Sequence, residues 1–381
     1  MQVQCTVPGP AHVTQWVACM LLVASTTSIA PTVSAQTSFT SLPITPLLLS
    51  PVDRSSDSVD KQLRTSEQAS RVRARAEAGS PRDQFLIGQS YAKGIGGAPD
   101  LSQARLWYER AANRGEPAAI TELGRMYAQG LGVTQDYKTA LRWFRRAAGE
   151  GYAPAQTDLG LLYFQGLGVV RDEAAAARWW EQAASQAYAP AMSNLGFAYL
   201  NGAGVARDTQ RALQLFREAA KSGVATAQFN LGSCYELGVG VPQDLATAAK
   251  WYRSAAQQGH GEAQNNLGNL YRSGQGVPRD PMAALRLYLL AAGNGNSKAA
   301  INLAKMFHGG VALKPDHLLA YMWLRGAAHW GENLGGALRS EEESLSKEEI
   351  LRANEKAASW VAQHRLGSGS SSLTSSLARV E

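Results

Sequence analysis

A ten-residue segment recurs along the chain at a fixed interval. The segment YAQGLGVTQD at 127–136 has six near-copies, and each copy starts 36 residues after the previous one. The others are YAKGIGGAPD at 91, YFQGLGVVRD at 163, YLNGAGVARD at 199, YELGVGVPQD at 235, YRSGQGVPRD at 271 and FHGGVALKPD at 307. A constant period of this length is typical of proteins that stack one small structural unit many times. The sequence therefore predicts an array rather than a set of independent domains.

Each unit predicts two helices joined by a short turn. In the second copy a helix over about 117–129 places Leu123 and Tyr127 on one face, as the helical period requires. Gly130 is expected to end this helix, because glycine enters the left-handed conformation without a steric penalty. Asp136 is expected to cap the next helix by accepting from its free amides. An aspartate occupies that place in all seven copies.

The glycines at 130 and 132 also suggest a different interpretation, a loop that binds phosphate. A dinucleotide-binding loop needs a strand before it and a helix amino terminus after it. Here a helix is predicted before the glycines, and the motif occurs in nearly every unit. We therefore favour a helix stop, and the sequence predicts no cofactor.

Small residues explain how the units can stack. A Leu-Gly step in the first helix and an alanine pair in the second allow close approach, and an aromatic pair such as Trp143-Phe144 fills the space between hairpins. One hairpin cannot bury its own apolar face, so its neighbours must cover it. The predicted fold is all-α: a right-handed α-solenoid of about seven 36-residue helix-turn-helix repeats with N- and C-terminal capping helices.

These motifs resemble the Sel1-like repeats of the tetratricopeptide-like superfamily, in their bacterial form. The pattern A-x-A-x-x-x-LG-x-x-Y-x-x-G-x-GV-x-x-D-x-x-x-A-x-x-WY-x-x-AA-x-x-G is almost complete in 225–259, and the resemblance covers 83–331. It implies an adaptor or regulatory role, since bacterial members serve envelope, signalling or host-interaction processes.

The flanking segments complete the predicted domain organisation. An N-terminal capping helix is expected within 57–82 and C-terminal capping helices within 332–365, the latter opened by a capping box at Ser346 and Glu349. A disordered linker is expected at 36–56, and a Gly/Ser-rich disordered tail at 366–381.

The amino-terminal segment predicts export. Residues 1–52 contain no charged side chain, an apolar run covers 16–24, and Val33-Ser34-Ala35 resembles a cleavage site. We expect a signal peptide over 1–35 and a periplasmic or secreted protein with no stable membrane span after cleavage. A basic segment before the run, usual in signal peptides, is missing. Because residues 16–33 carry no charge over 18 residues, an uncleaved membrane anchor is the alternative.

Composition and residue spacing argue against several functions. The net charge of +6 is spread thinly, and within 83–331 Arg142, Arg145 and Arg146 form the only tight basic cluster, so we expect no nucleic-acid binding. Cys234 is expected to be a buried small hydrophobe rather than a nucleophile. The histidines of the last repeat match no tight metal-ligand spacing, so they are interpreted as exposed or capping residues, with no metal site. These are His308, His317 and His329.

Variable positions on the first helices predict a binding groove. The residues one after the repeat glycine and one after the repeat tyrosine are expected to line a concave face. The predicted site combines an exposed apolar cluster of Leu161, Phe164, Phe197 and Leu200 with the polar residues Arg125, Glu236, Asn269 and Arg272. An apolar patch with a polar rim is typical of an interaction site. The alternative is that neighbouring repeats cover the four apolar residues.

These observations predict a non-enzymatic scaffold that binds a protein or peptide partner in the concave groove. The alternative is a cell-wall-associated enzyme or glycan-binding protein built on the same solenoid. The partner's identity and the oligomeric state stay open at this level.

Overall fold

The structure is a computed structural model that describes residues 66–311 and 314–365. Within these ranges the chain forms 17 α-helices and no strand. The predicted signal peptide, linker and carboxy-terminal tail lie outside the described residues, as do residues 57–65 of the predicted N-terminal cap. Among the described helices, none is long and apolar enough to cross a membrane.

The helices alternate regularly with short turns. The helix before the repeats is α1, Ser66–Glu77. The first helices of the repeats are α2 Pro81–Lys93, α4 Pro117–Gln129, α6 Ala153–Gln165, α8 Ala189–Asn201, α10 Ala225–Leu237, α12 Gly261–Ser273 and α14 Ser297–His308. The second helices are α3 Leu101–Asn113, α5 Tyr137–Gly149, α7 Glu173–Ser185, α9 Thr209–Lys221, α11 Leu245–Gln257, α13 Pro281–Gly293 and α15 His317–His329. Two helices follow, α16 Gly335–Glu342 and α17 Lys347–Arg365.

The described residues form two compact units. One contains residues 66–300, and the other contains residues 301–361. In the first unit each helix packs against the helix before it and the helix after it. The first helices α6, α8 and α10 of three consecutive repeats also contact one another. This serial packing confirms the predicted α-solenoid.

The turn between the two helices has the predicted construction. Gly130 lies in the left-handed conformation with φ 71°, and Asp136 accepts hydrogen bonds from the amides of Lys138 and Thr139. The amide of Asp136 donates to the carbonyl of Tyr127 over 2.9 Å, which closes the turn. The helix-stop prediction is confirmed. All seven cap aspartates accept from a helix amide at 2.8–3.0 Å: Asp100, Asp136, Asp172, Asp208, Asp244, Asp280 and Asp316.

The glycine of the Leu-Gly step lies directly against the second helix. In the third repeat a Cβ on Gly160 would lie 2.5 Å from Nε1 of Trp180 and 3.1 Å from the carbonyl oxygen of Ala176. Trp180 is fully buried, and its indole N–H donates to the carbonyl of Thr157 over 3.1 Å. The aromatic ring therefore takes the space that any side chain at 160 would need.

The short unit over 301–361 is built around one tryptophan. The ring of Trp360 lies edge-on to Trp323 at 4.9 Å and to Trp330 at 5.1 Å between ring centroids. The predicted capping box is confirmed, because the Ser346 amide donates to Glu349 over 2.9 Å and the Glu349 amide donates to the Ser346 hydroxyl over 3.3 Å.

Replacing Gly160 with alanine is expected to lower the free energy of unfolding by about 1–3 kcal/mol, since the new methyl group would overpack a rigid contact. The matched control is Gly149→Ala, because Gly149 ends α5 and a Cβ there meets no atom within 4 Å. That variant is expected to be neutral or slightly stabilised, since alanine has the higher helix propensity. Urea denaturation followed by circular dichroism measures both. Equal stability of the two variants would contradict the close-approach argument.

Candidate functional site

The predicted apolar cluster is largely covered in the structure. We define the inner face as the residues one after the repeat glycine and one after the repeat tyrosine on the first helices. On this face Leu161 is only 2% exposed and Leu200 only 6% exposed. The prediction that these two leucines are exposed is wrong.

The first helices of consecutive repeats contact one another on this side, α6 with α8 and α8 with α10. The ring of Phe164 meets Phe197 of the next repeat edge-on at 5.9 Å, and it lies 5.6 Å from the ring of Trp180. Both phenylalanines remain half-buried. Trp180 belongs to the same repeat as Phe164, whereas Phe197 belongs to the next one, so both the hairpin and its neighbour cover Phe164. Phe164 and Phe197, called here the phenylalanine pair, are the part of the cluster that still reaches solvent.

Arg125 is also buried, which contradicts its prediction as an accessible polar rim residue. Its Nε donates to Asp158 of the next repeat over 2.7 Å, and its Nη1 donates to Glu122 over 2.6 Å. Burial alone would lower the pKa of Arg125, but the carboxylates of Asp158 and Glu122 raise it above its ordinary value. Burial also raises the pKa of Glu122, while Arg125 acts in the opposite direction. The guanidinium therefore joins two repeats rather than facing a ligand.

Truncating this guanidinium is expected to be costly. Arg125→Ala would leave two buried carboxylates without their cation, so we expect a loss of about 3–5 kcal/mol in unfolding free energy. The control is Arg71→Ala, which breaks the exposed ion pair of Arg71 with Glu67. An exposed pair contributes at most about 1 kcal/mol.

Chemical denaturation of both variants measures the difference. Replacing the whole cluster by apolar residues, as in E122L/R125M/D158L, is expected to recover most of the stability, because no charge is then left buried. An R125A protein as stable as R71A would show that the buried cluster does not hold repeats two and three together.

Further along the inner face, in repeats five and six, the side chains are polar and hydrogen-bonded. The hydroxyl of Tyr252 donates to Glu236, lies 3.0 Å from the hydroxyl of Ser233, and accepts from the Asn266 amide over 3.3 Å. Burial raises the pKa of Glu236, against the effect of the Tyr252 hydroxyl. Glu236 is thus held by Tyr252 of its own repeat, and Tyr252 is in turn bonded to Asn266 of the next repeat.

Asn269 and Arg272 continue this polar surface on α12. The hydroxyl of Tyr288 donates to Oδ1 of Asn269 over 2.7 Å. Asn269 is half-buried, whereas Arg272 is exposed. We call Glu236, Asn269 and Arg272 the polar inner surface. Three of the four predicted polar residues are thus partly or fully exposed on consecutive first helices, whereas Arg125 is buried.

A second cluster, which the sequence interpretation missed, lies within residues 301–361. Nδ1 of His308 and Nδ1 of His317 each lie 2.8 Å from a different oxygen of the Glu341 carboxylate. The three residues together could hold a metal ion. His329 is exposed and belongs to no such group among the described residues. The two histidines are nine residues apart and the glutamate lies on α16, so no local spacing reveals the cluster.

Cys234 has the predicted environment. Its side chain is buried on α10, and burial raises the pKa of the thiol to about 11. A thiol in this state carries almost no thiolate at neutral pH, so it is a packing residue and not a nucleophile.

The turn, the glycine contact and the aspartate cap recur from repeat to repeat. A comparison with protein families agrees with this recurrence. A profile described as Sel1 repeat matches seven consecutive segments. The chain belongs to the Sel1 repeat family. The matched segments are 81–116, 117–152, 153–188, 189–224, 225–260, 261–296 and 297–329. Sel1 repeat solenoids commonly mediate protein–protein interaction and are typically non-catalytic scaffolds. No curated protein sequence matches this Sel1 repeat chain.

Two solved structures with Sel1-type folds are similar to this chain. One is a protective antigen of uropathogenic Escherichia coli strains with an SLR fold, at 33% identity and TM-score 0.55. The alignment covers 76% of the present chain and 64% of the antigen, so the chain spans less than two thirds of the antigen's length. The other is a Sel1 repeat protein from Oxalobacter formigenes, at 31% identity and TM-score 0.57, with 66% of this chain and all of that one covered.

Proposed function

We propose that this Sel1 repeat protein is a scaffold that binds an extended segment of a partner protein along its inner face. The observation that carries the proposal is the arrangement of accessible groups on consecutive first helices. The phenylalanine pair lies on α6 and α8, and the polar inner surface follows on α10 and α12. An apolar anchor followed by hydrogen-bonding and cationic groups suits a peptide with one apolar side chain and a polar, acidic continuation.

Charge favours the acidic continuation. Arg272 is exposed on the inner face. The guanidinium of Arg171, also exposed, lies 5.7 Å from the centre of the Phe164 ring and forms an ion pair with Glu173. Glu236 is held by the Tyr252 hydroxyl, and its burial disfavours the charged form. Of the phenylalanine pair and the polar inner surface, Arg272 therefore carries the exposed charge, and it is positive, as is the net charge of the chain, +6.

The aromatic residues give little support to a glycan-binding function. Sugar rings stack on flat, accessible aromatic faces, but Tyr252 and Tyr288 beside the polar inner surface are fully buried. The two phenylalanines meet edge-on and are half-buried. Among the described residues, the observations therefore favour a peptide over a carbohydrate.

The test compares two charge reversals in the same repeat. Arg272→Glu changes the polar inner surface, and Arg286→Glu makes the same change at an exposed position on the second helix α13. A partner captured from extracts of the producing organism by the wild-type chain would be purified and titrated calorimetrically. R272E is expected to raise its Kd about 10-fold or more, and R286E to leave it within about 2-fold.

Phe197→Ala tests the apolar anchor in the same titration, with thermal unfolding as the check that the variant remains folded. Loss of affinity with R272E and F197A, but not with R286E, supports binding on the inner face. A partner that binds all three variants like the wild type would place the interaction on another surface. Binding of the wild type to isolated cell-wall glycan, lost in R272E, would favour the carbohydrate alternative.

We also propose that the protein is exported, with cleavage after Ala35. The support is the charge-free segment 1–52 with its apolar run, and the similarity to a protective antigen of a pathogen. Amino-terminal sequencing of the mature protein is expected to begin at Gln36. A mature, membrane-bound chain that retains residues 16–35 would favour the uncleaved anchor.

A further inference from the structure

We propose that His308, His317 and Glu341 form a binding site for a divalent transition-metal ion, and that the ion best suited to it is Zn²⁺. All three residues belong to the unit 301–361, and each offers one ligand atom. The proposal is independent of the inner-face binding described above, because no residue is shared between the two sites.

The site arises from the turn that every repeat contains. In each repeat the carbonyl of the aromatic residue near the end of the first helix accepts from the amide of the cap aspartate over 2.9 Å; in the seventh repeat these residues are Phe307 and Asp316. Because of this hydrogen bond, the residue that follows the aromatic residue lies beside the residue that follows the cap aspartate. In the seventh repeat both of those residues are histidines, His308 and His317. In the other six repeats the paired positions carry Ala92 and Leu101, Ala128 and Tyr137, Phe164 and Glu173, Leu200 and Thr209, Glu236 and Leu245, and Arg272 and Pro281.

The third ligand comes from α16. Oε1 of Glu341 lies 2.8 Å from Nδ1 of His308, and Oε2 lies 2.8 Å from Nδ1 of His317. One ligand atom from each of the three residues lies within 4.8 Å of the others. Two ligands of a tetrahedral zinc ion, each about 2.0–2.1 Å from the metal, lie about 3.3 Å apart. The distances between the ligand atoms therefore differ from those of a zinc site by amounts that rotation of the three side chains can correct.

The chemistry and accessibility of the three groups also fit zinc. Two imidazole nitrogens and a carboxylate oxygen are a ligand set that Zn²⁺ accepts readily. The Glu341 side chain is only 6% exposed, while His308 is 50% and His317 33% exposed. A buried carboxylate is stabilised by a nearby cation, and the half-exposed imidazoles leave a route for an ion from solvent. Each Nδ1 would then donate its lone pair to the metal, with the ring proton on Nε2.

A bound ion would join three helices of the unit 301–361. His308 is the last residue of α14, His317 is the first residue of α15, and Glu341 lies near the end of α16. Three protein ligands leave a fourth position of a tetrahedral ion for water. The expected role is a clamp on the closing part of the repeat array, so metal binding should raise the thermal stability of this unit.

The test uses the full chain without an affinity tag, freed of metal by dialysis against a chelator. Calorimetric titration with Zn²⁺, together with elemental analysis after gel filtration, is expected to show one ion per chain. His308→Gln and His317→Gln are each expected to weaken Zn²⁺ binding at least 10–100-fold, the range already seen when only a supporting group of a metal site is lost. His329→Gln is the matched control, since it removes an exposed histidine of the same repeat outside the cluster.

Glu341→Gln extends the series, with circular dichroism as the folding check because this residue is buried. Zn²⁺ is expected to raise the melting temperature of the wild type and of H329Q, and to leave H308Q/H317Q unchanged. Either of two results would overturn the proposal: no saturable Zn²⁺ binding by the wild type, or wild-type affinity and stoichiometry in H308Q/H317Q. His308 is half-exposed, so H308Q alone gives a folded variant in which the question can be decided.

Discussion

The structure depends on one close contact, that between a glycine of the first helix and an aromatic ring of the second. At Gly160 and Trp180 the ring lies where a β-carbon would have to be, and equivalent contacts pair Gly124 with Phe144 and Gly232 with Tyr252. The two helices of a repeat can approach closely only because the glycine has no side chain. The large buried ring then supplies apolar area that the small residues around it cannot. This contact fixes how closely the two helices of each hairpin approach each other.

Stacking of these fixed hairpins determines the chemistry of the inner face. Where side chains of neighbouring repeats face each other and are charged, as at Arg125 and Asp158, they form a buried ion cluster that joins the repeats. Where they are aromatic, as at Phe164 and Phe197, they pack edge-on and stay partly accessible. The inner face thus holds repeats two to four together, whereas in repeats five and six it presents polar groups. The function proposed for it rests on the residues that stacking leaves free.

The turn of the seventh repeat has the same backbone geometry as the turns of the other repeats, but its side chains give it a different chemistry. The hydrogen bond between the carbonyl of Phe307 and the amide of Asp316 has the same length as its counterparts in the other six repeats. The backbone therefore brings two neighbouring positions together whatever residues they carry. Both positions carry histidines, and Glu341 lies beside them. These three side chains form a group that could hold a metal ion.

The sequence by itself determined the repeat, its helices, its caps and the burial of Cys234, because each of these follows from the helical period or from hydrogen bonds between residues close in the sequence. Gly130, Asp136 and the capping box of Ser346 and Glu349 were predictable for this reason. The accessibility of Leu161 and the pairing of His317 with Glu341 were decided only by tertiary structure. Helical periodicity shows which side of one helix is apolar, but the helices of other segments decide what covers that side and which distant groups meet there.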